Sequence, residues 1–340
     1  MHFDIERYDD LREVYRGSDV SNSGLTFTGI ARNEMHFLPI FLREYRKLGV
    51  QRFIIIDDAS SDGSVEFLAS QPDVILVSSD ARYGDAVKLG APFAQNRKHR
   101  REITWRNVLL ARYGIGRWTV HHDLDEFVSL PEGMTLQSLI DKLEALRQRM
   151  AWGVMLDVYP RSPSDLPEMQ TADHLDLEAQ WYFDGKRHLS MAFGEMPKTI
   201  YGGSRARLLM LHGMHPRANS WQRRWPALSS RFAPSIVGLR KPFLAKWDND
   251  TMMLNSHTAT LPSNRQMLLP LRHFKFNAEA VEKIRRAAVE GQYFNGSAAY
   301  KSLDLLLSKM VDVDAPFTCG FSRPVTGYEG FAKAGVAFGL

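Results

Sequence analysis

Three short apolar runs set the character of the first third of the chain. Residues 25–31 are β-branched and aromatic, 52–56 run Arg-Phe-Ile-Ile-Ile, and 74–77 read Val-Ile-Leu-Val, each the pattern of a strand. Between the first two, Phe37, Leu38, Ile40, Phe41, Leu42 and Tyr45 recur at helical spacing, and Gly49 stands where a helix-ending glycine would. Strand, helix, strand predicts a parallel sheet with right-handed crossovers, and the unbroken run at 52–56 suits a strand covered on both faces. Residues 83–113 read as a loop entering a helix, and 118–130 as a buried strand carrying Asp123, Asp125 and Glu126 at its end. Leu136, Leu139, Ile140, Leu143 and Leu146 share one face of a helix over 135–150. A strand over 152–159 and a turn-rich loop over 160–167 follow, and Gly202-Gly203 leads into an extended arm bearing Arg205 and Arg207. Strand-like segments recur over 241–247, 255–259 and 271–276, then helices over 278–291 and 293–311, with a loosely ordered glycine-rich end beyond Cys319. Ahead of residue 24 the chain is polar and closes in a turn.

Composition narrows the setting. In 340 residues, 44% are hydrophobic, enough for a large core and against disorder. The net charge of +4, from 43 basic and 39 acidic residues, is too small a surplus to indicate nucleic acid. Its basic runs, 97–101 and Arg223-Arg224, read either as solvated loops or as contacts for an anionic substrate or membrane surface. The single cysteine, Cys319, fits a reducing compartment. A charged N-terminus and the lack of any run of about 18 apolar residues predict a cytoplasmic protein, peripheral at most to the inner face of the cell membrane.

The candidate chemistry centres on the carboxylates at 123–126. Burying them without compensation costs several kcal/mol each, and a divalent cation is the natural compensation. Asp-x-Asp on extended chain turns both carboxylates to one side. Hard oxygen ligands so placed suit Mn2+ or Mg2+, ions that complete their shells with substrate phosphate oxygens. An acidic turn capping the next helix has the same composition. In open α/β sheets ligands bind beyond the carboxyl ends of strands, where Asn33, Glu34, Asp57 and Asp58 lie. Neither a Gly-x-Gly-x-x-Gly nor a Walker loop follows the first strand. On extended chain Arg205 and Arg207 share a face, and their guanidinium forks match phosphate or carboxylate; a surface hairpin is the other reading of the same residues. Asp157, at a strand end, is placed either to orient an acceptor hydroxyl or to cap the turn.

Ala31-Arg32-Asn33-Glu34, then Ile54-Ile55-Ile56-Asp57-Asp58-Ala59-Ser60-Ser61-Asp62-Gly63, then His122-Asp123-Leu124-Asp125-Glu126-Phe127 resemble, in order and spacing, the successive signatures of family 2-like glycosyltransferases with the GT-A fold. The resemblance covers residues 25–130. Its Arg-Asn-Glu opening and Asp-Glu-Phe ending are similar to the bacterial subset related to the family 92 type. Processive synthases are a poorer match, because Trp221-Gln222-Arg223-Arg224-Trp225 only approaches their Gln-x-x-Arg-Trp.

The resemblance implies an α/β, Rossmann-like GT-A sheet, mixed and mostly parallel, flanked by helices and extended on the acceptor side. Residues 1–24 would be an extension, 25–130 the nucleotide-sugar half, 131–277 the acceptor half and 278–340 a helical tail. It implies a UDP- or GDP-linked sugar donor, with Arg32, Asn33, Glu34 and Asp57 or Asp58 near base and ribose, and Arg106 and Asn107 in the same set. Asp123 would contact ribose or metal, and Asp125 would ligate Mn2+ or Mg2+. Many GT-A enzymes add a downstream histidine; His257 is the first candidate and His273 the second. Gly-Gly-x-Arg-x-Arg at 202–207 also resembles a motif of these enzymes.

The implied reaction has an acceptor hydroxyl, on a saccharide or a lipid-linked glycan, attack the anomeric carbon, with inversion favoured. Arg205, Arg207, Lys246 and Lys275 are the cations for the departing diphosphate. Glu195, Asp248 and Asp250 are the base candidates, with Glu126 behind the metal site. A nucleotidyltransferase would be expected to carry a glycine-rich basic loop where Ala31-Arg32-Asn33-Glu34-Met35 stands, and a non-catalytic carbohydrate-binding module of the same fold is the other rival.

Overall fold

The structure, a computed structural model, describes every residue except 1–4, 21–22, 91–92, 94–98, 172–173, 192–195, 262–263 and 291–293, and only the backbone at 5, 280, 283, 287, 288, 290 and 294–299. The elements that position the chemistry are β1 (Arg12–Arg16), β2 (Thr26–Ala31), α1 (Leu38–Lys47), β3 (Arg52–Asp57), α2 (Ser64–Ala69), β4 (Val74–Ser78), α3 (Arg101–Leu109), β5 (Trp118–His121) and β6 (Glu126–Val128). They continue with α4 (Leu136–Ala145), β7 (Met150–Asp157), α5 (Gly203–Leu211), β8 (Arg240–Lys246), β9 (Leu268–His273), α6 (Ala278–Glu290) and α7 (Phe294–Asp312). The chain divides into two compact units, one of residues 1–124, 133–152 and 241–264, the other of 125–132, 153–240 and 265–340.

In the first unit the strands run in the order β1-β4-β3-β2-β5-β8. The four central strands are parallel, β1 and β8 antiparallel. All six residues of β3 are buried because both faces are covered. Phe53 turns to Phe27, which meets Phe41 of α1 edge-on at 4.8 Å. Ile54 and Ile56 turn the other way, onto Trp105, Val108 and Leu109 of α3. Each fully buried side chain of this kind stabilises by about 1.5–3 kcal/mol. Gly49, at a φ of 99°, closes α1 as expected.

In the second unit the order is β7-β9-β6, and β6 and β9 pair antiparallel with Glu126 opposite His273. Helices α6 and α7 cover a core that includes Tyr159, Leu208, Phe276, Leu306 and Phe317. The mixed sheet flanked by helices is the α/β architecture expected.

Several local expectations are corrected. The polar N-terminal stretch supplies an edge strand, β1, whose exposed charged side chains keep an open edge soluble. Helix α4 stops at Ala145, and Arg147 turns to a φ of 53° ahead of β7. Residues 203–211 form helix α5 in place of an extended arm. The end beyond Cys319 is ordered: Ser322–Pro324 pairs with Tyr182–Asp184, Phe331 is fully buried, and the Phe338 N–H donates to Leu268 O at 3.1 Å.

Candidate active site

In the first unit, the parallel strands β2, β3 and β5 end at Ala31, Asp57 and His121. The turns leaving β2 and β3 are laced together. Asn33 Oδ1 accepts the Ser61 N–H at 2.7 Å, and the Asn33 N–H donates to Ser60 Oγ at 2.9 Å. Glu34 N–H reaches Ser64 Oγ at 3.1 Å, and Met35 N–H reaches Asp62 Oδ2 at 2.9 Å. Asn33 tolerates its φ of 53°, whereas Ala59 at 55° is strained, so this turn is held against a local cost. Asp57 accepts from the Ser60 N–H at 3.1 Å. Asp58 accepts from the Tyr83 N–H at 3.1 Å and faces Arg32 at 3.3 Å; burial raises its pKa in spite of both.

Asp123 lies two residues beyond β5, not on extended chain, because the strand ends at His121 and residues 122–125 turn. Its half-exposed carboxylate accepts from Arg106 Nη2 at 2.9 Å and Lys241 Nζ at 2.6 Å, both cations being almost fully buried. Burial works to raise the carboxyl pKa, but Lys241 and Arg106 hold it well below the usual range. Arg106 also donates to His121 Nε2 at 2.7 Å, so the ring proton sits on Nδ1, toward Thr28 Oγ1 at 3.0 Å. Burial, then Arg106, depresses the His121 pKa and keeps the ring neutral. Thr28, His121, Arg106, Asp123 and Lys241 thus form one connected polar chain.

Other candidates in this unit are held elsewhere. Asn107 spends its amide on Met253 N–H (2.8 Å), Met253 O (2.9 Å) and Ile103 O (2.8 Å). That pins the hairpin of Met253–Asn255 and Thr258–Ala259, with His257 in its turn, where the His257 N–H donates to Asn255 Oδ1 at 2.8 Å. Lys246 pairs with Glu144 at 3.1 Å, and Asp248 with Arg149 at 2.6 Å. Asp250 is exposed, its N–H donating to Asp248 Oδ1 at 3.0 Å. Glu195 lies outside the described residues.

In the second unit, the β6–β9 register gathers Asp125, Glu126 and His273, all buried, each offering one ligand atom within 4.8 Å of the others. Among the described residues this is the one group of its kind. The imidazole is fixed from behind: His273 Nδ1 donates to Asp157 Oδ1 at 2.5 Å, which leaves Nε2 toward Asp125 Oδ2 at 3.3 Å. A histidine that ligates a metal is oriented in this way by a carboxylate on its other nitrogen. Burial alone would lower the His273 pKa, but Asp125 and Asp157 more than offset it and raise it. Arg205 Nε bonds Asp157 Oδ2 at 2.7 Å, and Lys275 Nζ stands 3.4 Å from Asp125. Against burial, Arg205 and His273 hold the Asp157 carboxyl well below its usual range. Three carboxyl groups thus face two permanent cations, and the oxygen, oxygen, nitrogen donor set fits a divalent ion.

Helix α5 separates the two arginines expected to share a face. Arg207 leaves Asp157 to Arg205 and forks onto Asp184 through Nε at 3.0 Å and Nη2 at 3.0 Å. Asp184 also accepts from Tyr159 Oη at 2.5 Å and Tyr201 Oη at 2.6 Å, a buried knot. Sequence reasoning misses Asp184, Lys241 and His121 as parts of these networks. Lys241 meets Asp123 across 118 positions, and no local pattern signals that pairing.

No family model matches the sequence, and no curated protein matches it. Weak likenesses exist among solved structures. One is a mannosyltransferase, PcManGT from Pyrobaculum calidifontis in complex with GDP-Man and Mn2+, at a TM-score of 0.30 and 14% identity over 89% of this chain and 75% of that one. Another is a UTP-bound UGPase from Acinetobacter baumannii, at 0.28 and 10% identity over 92% and 91%. A UDP-glucose pyrophosphorylase from the same organism scores 0.29 at 12% identity over 92% and 91%. Likenesses of this size assign neither family nor activity.

Proposed function

We propose that this chain is a metal-dependent glycosyltransferase of the GT-A type, moving a sugar from a nucleotide-diphosphate donor to an acceptor hydroxyl. The observation that carries the reading is the aimed imidazole: Asp157 holds His273 Nδ1, so Nε2 faces Asp125 beside Glu126. Asp125, Glu126 and His273 would hold Mn2+ or Mg2+. A bound ion of this kind supplies Lewis-acid stabilisation to the charge on the departing diphosphate.

The chain's own residues take the other roles. Asp57 or Asp58, with Arg32, Asn33 and Glu34, bind base and ribose of a UDP- or GDP-linked donor, on turns that their mutual hydrogen bonds preorganise. Asp123, clasped by Arg106 and Lys241, is fixed as an acceptor for ribose hydroxyls. Lys275 is the cation we assign to the leaving diphosphate. Asp157, engaged on both oxygens by His273 and Arg205, acts as a positioning residue rather than as an acceptor contact. Inversion, and a saccharide or lipid-linked acceptor from a bacterial surface glycan, extend the resemblance over residues 25–130.

The reaction products decide between this reading and its rivals. The protein is incubated with UDP- and GDP-sugars and Mn2+, and the released nucleotide is identified. Nucleoside diphosphate release that EDTA and Asp125→Ala both abolish supports sugar transfer or its hydrolytic side reaction. Pyrophosphate formed in a parallel incubation with UTP or GTP and sugar 1-phosphates makes the protein a nucleotidyltransferase, and no release from any donor leaves only a binding module; either result sinks the proposal.

A further inference from the structure

Between Glu195 and Asp248 the chain has no acidic residue, while ten lysines and arginines fall in residues 196–247. Several of these cations are internal, Arg205 and Arg207 on Asp157 and Asp184, and Lys241 on Asp123. Lys198, Arg217, Arg223, Arg224 and Arg231 are exposed, and none forms an ion pair among the described residues. The same stretch holds every exposed tryptophan and phenylalanine of the described residues: Trp221 at 51%, Trp225 at 55% and Phe232 at 69% exposure. Exposed Leu228 and Ile200 accompany them.

These exposed side chains are close neighbours along the chain. Trp221 and Leu228 lie on two short consecutive helices, Ser220–Arg224 and Pro226–Ser229, which meet at Trp225 with a φ of −126° and a ψ of 61°; Trp225 N–H donates to Trp221 O at 3.0 Å and Ser229 N–H to Trp225 O at 3.0 Å. Phe232, Ile200 and Arg217 line one open cavity of about 540 Å³ with Pro234, Ile236 and Val237. Lys186 braces the loop beneath, its ammonium donating to Arg231 O at 2.6 Å and lying 5.5 Å from the Phe232 ring centre. Large aromatics beside arginines, with no carboxylate among them, match the boundary of an anionic bilayer, where rings enter the headgroup layer and guanidinium groups meet lipid phosphates. A soluble polyanion would use the cations but would leave Leu228, Ile200 and the ring faces in water.

We propose that this acid-free stretch docks on an anionic lipid bilayer through Trp221, Trp225 and Phe232, with Arg223, Arg224 and Arg231 on the lipid phosphates. Docking does not depend on the sugar-transfer reading. The whole chain is sedimented with vesicles of phosphatidylglycerol and phosphatidylcholine, and with phosphatidylcholine alone, while tryptophan fluorescence is followed with brominated lipid. Expected are binding to the anionic vesicles only, quenching by bromine, and a loss on the order of 30-fold for Arg223→Gln with Arg224→Gln, from about 1 kcal/mol per arginine at such a surface. Trp221→Ser with Trp225→Ser should also weaken binding and remove most of the quenching; all four positions are exposed, and circular dichroism confirms that the variants fold. Equal binding to neutral vesicles, no loss in either double variant, or capture by dextran sulfate without vesicle binding would each overturn the proposal, the last assigning the face to a soluble polyanion.

Discussion

Replacing Asp157 by asparagine keeps the shape of the residue behind His273 and removes its charge. Asp157 is 5% exposed and accepts two bonds, from Arg205 Nε at 2.7 Å and His273 Nδ1 at 2.5 Å. Asparagine has one acceptor oxygen for these two donors. If that oxygen stays with Arg205, the amide N–H faces His273 Nδ1 and drives the ring proton to Nε2, the atom that should ligate the ion. Loss of such an orienting partner lowers metal affinity by about 10–100-fold. Stability should fall by about 3 kcal/mol, because a mostly buried guanidinium loses its counter-charge.

The stability difference must also depend on pH. Asp157 has a folded-state pKa below its unfolded value of about 3.9, so its carboxylate contributes fully above that pH and the contribution fades as pH falls toward the folded pKa. The gap between parent and Asp157→Asn in urea titrations should shrink as pH rises through the titration of His273, whose pKa Asp157 helps to raise, and should narrow again below pH about 4. Calorimetric Mn2+ titration supplies the other half of the test. Unchanged Mn2+ affinity in a folded Asp157→Asn variant would refute the idea that Asp157 aims His273, and a gap that widens below pH about 4 would refute its ionic character.

Other substitutions probe other links in the account. Arg106→Lys puts a single ammonium where a fork reaches both His121 and Asp123, so we expect a loss of about 2–3 kcal/mol in denaturant titrations. It should also raise the His121 pKa, visible by NMR, as the guanidinium that depresses it is withdrawn; an unchanged pKa would break that link. Tyr201→Phe removes one of the hydroxyls on Asp184 and should cost about 1–3 kcal/mol, with no change in Mn2+ affinity. Phe331→Ala should cost about 3–5 kcal/mol in the same titrations if the C-terminal end is part of the core; a value near zero would return that segment to a loose tail.

The parallel strands were legible because burial on both faces leaves its mark on every residue, as in Phe53 to Ile56, and because Gly49 marks a left-handed helix end. The turn at Asp57 to Ser64 was legible as well, since its polar residues bond to each other and to the neighbouring turn. Residues 203–211 were not. Arg205 and Arg207 are placed by Asp157 and Asp184, partners 48 and 23 positions away, and a Gly-Gly pair says nothing about distant acids. His273 became a stronger ligand candidate than its sequence position suggested because the strand register sets it opposite Glu126. The edge strand β1 escaped notice for a simpler reason: exposed on most of its length, it shows charge where a strand pattern would show alternation.

The most direct measurement is calorimetric titration of UDP and GDP, with and without Mn2+, into the parent protein and Asp125→Ala. The account predicts that one nucleotide binds only with the ion present, and that Asp125→Ala loses this binding while its fold, followed by circular dichroism, is kept. Nucleotide binding that is indifferent to both Mn2+ and Asp125, or no binding of either nucleotide under any condition, would contradict it.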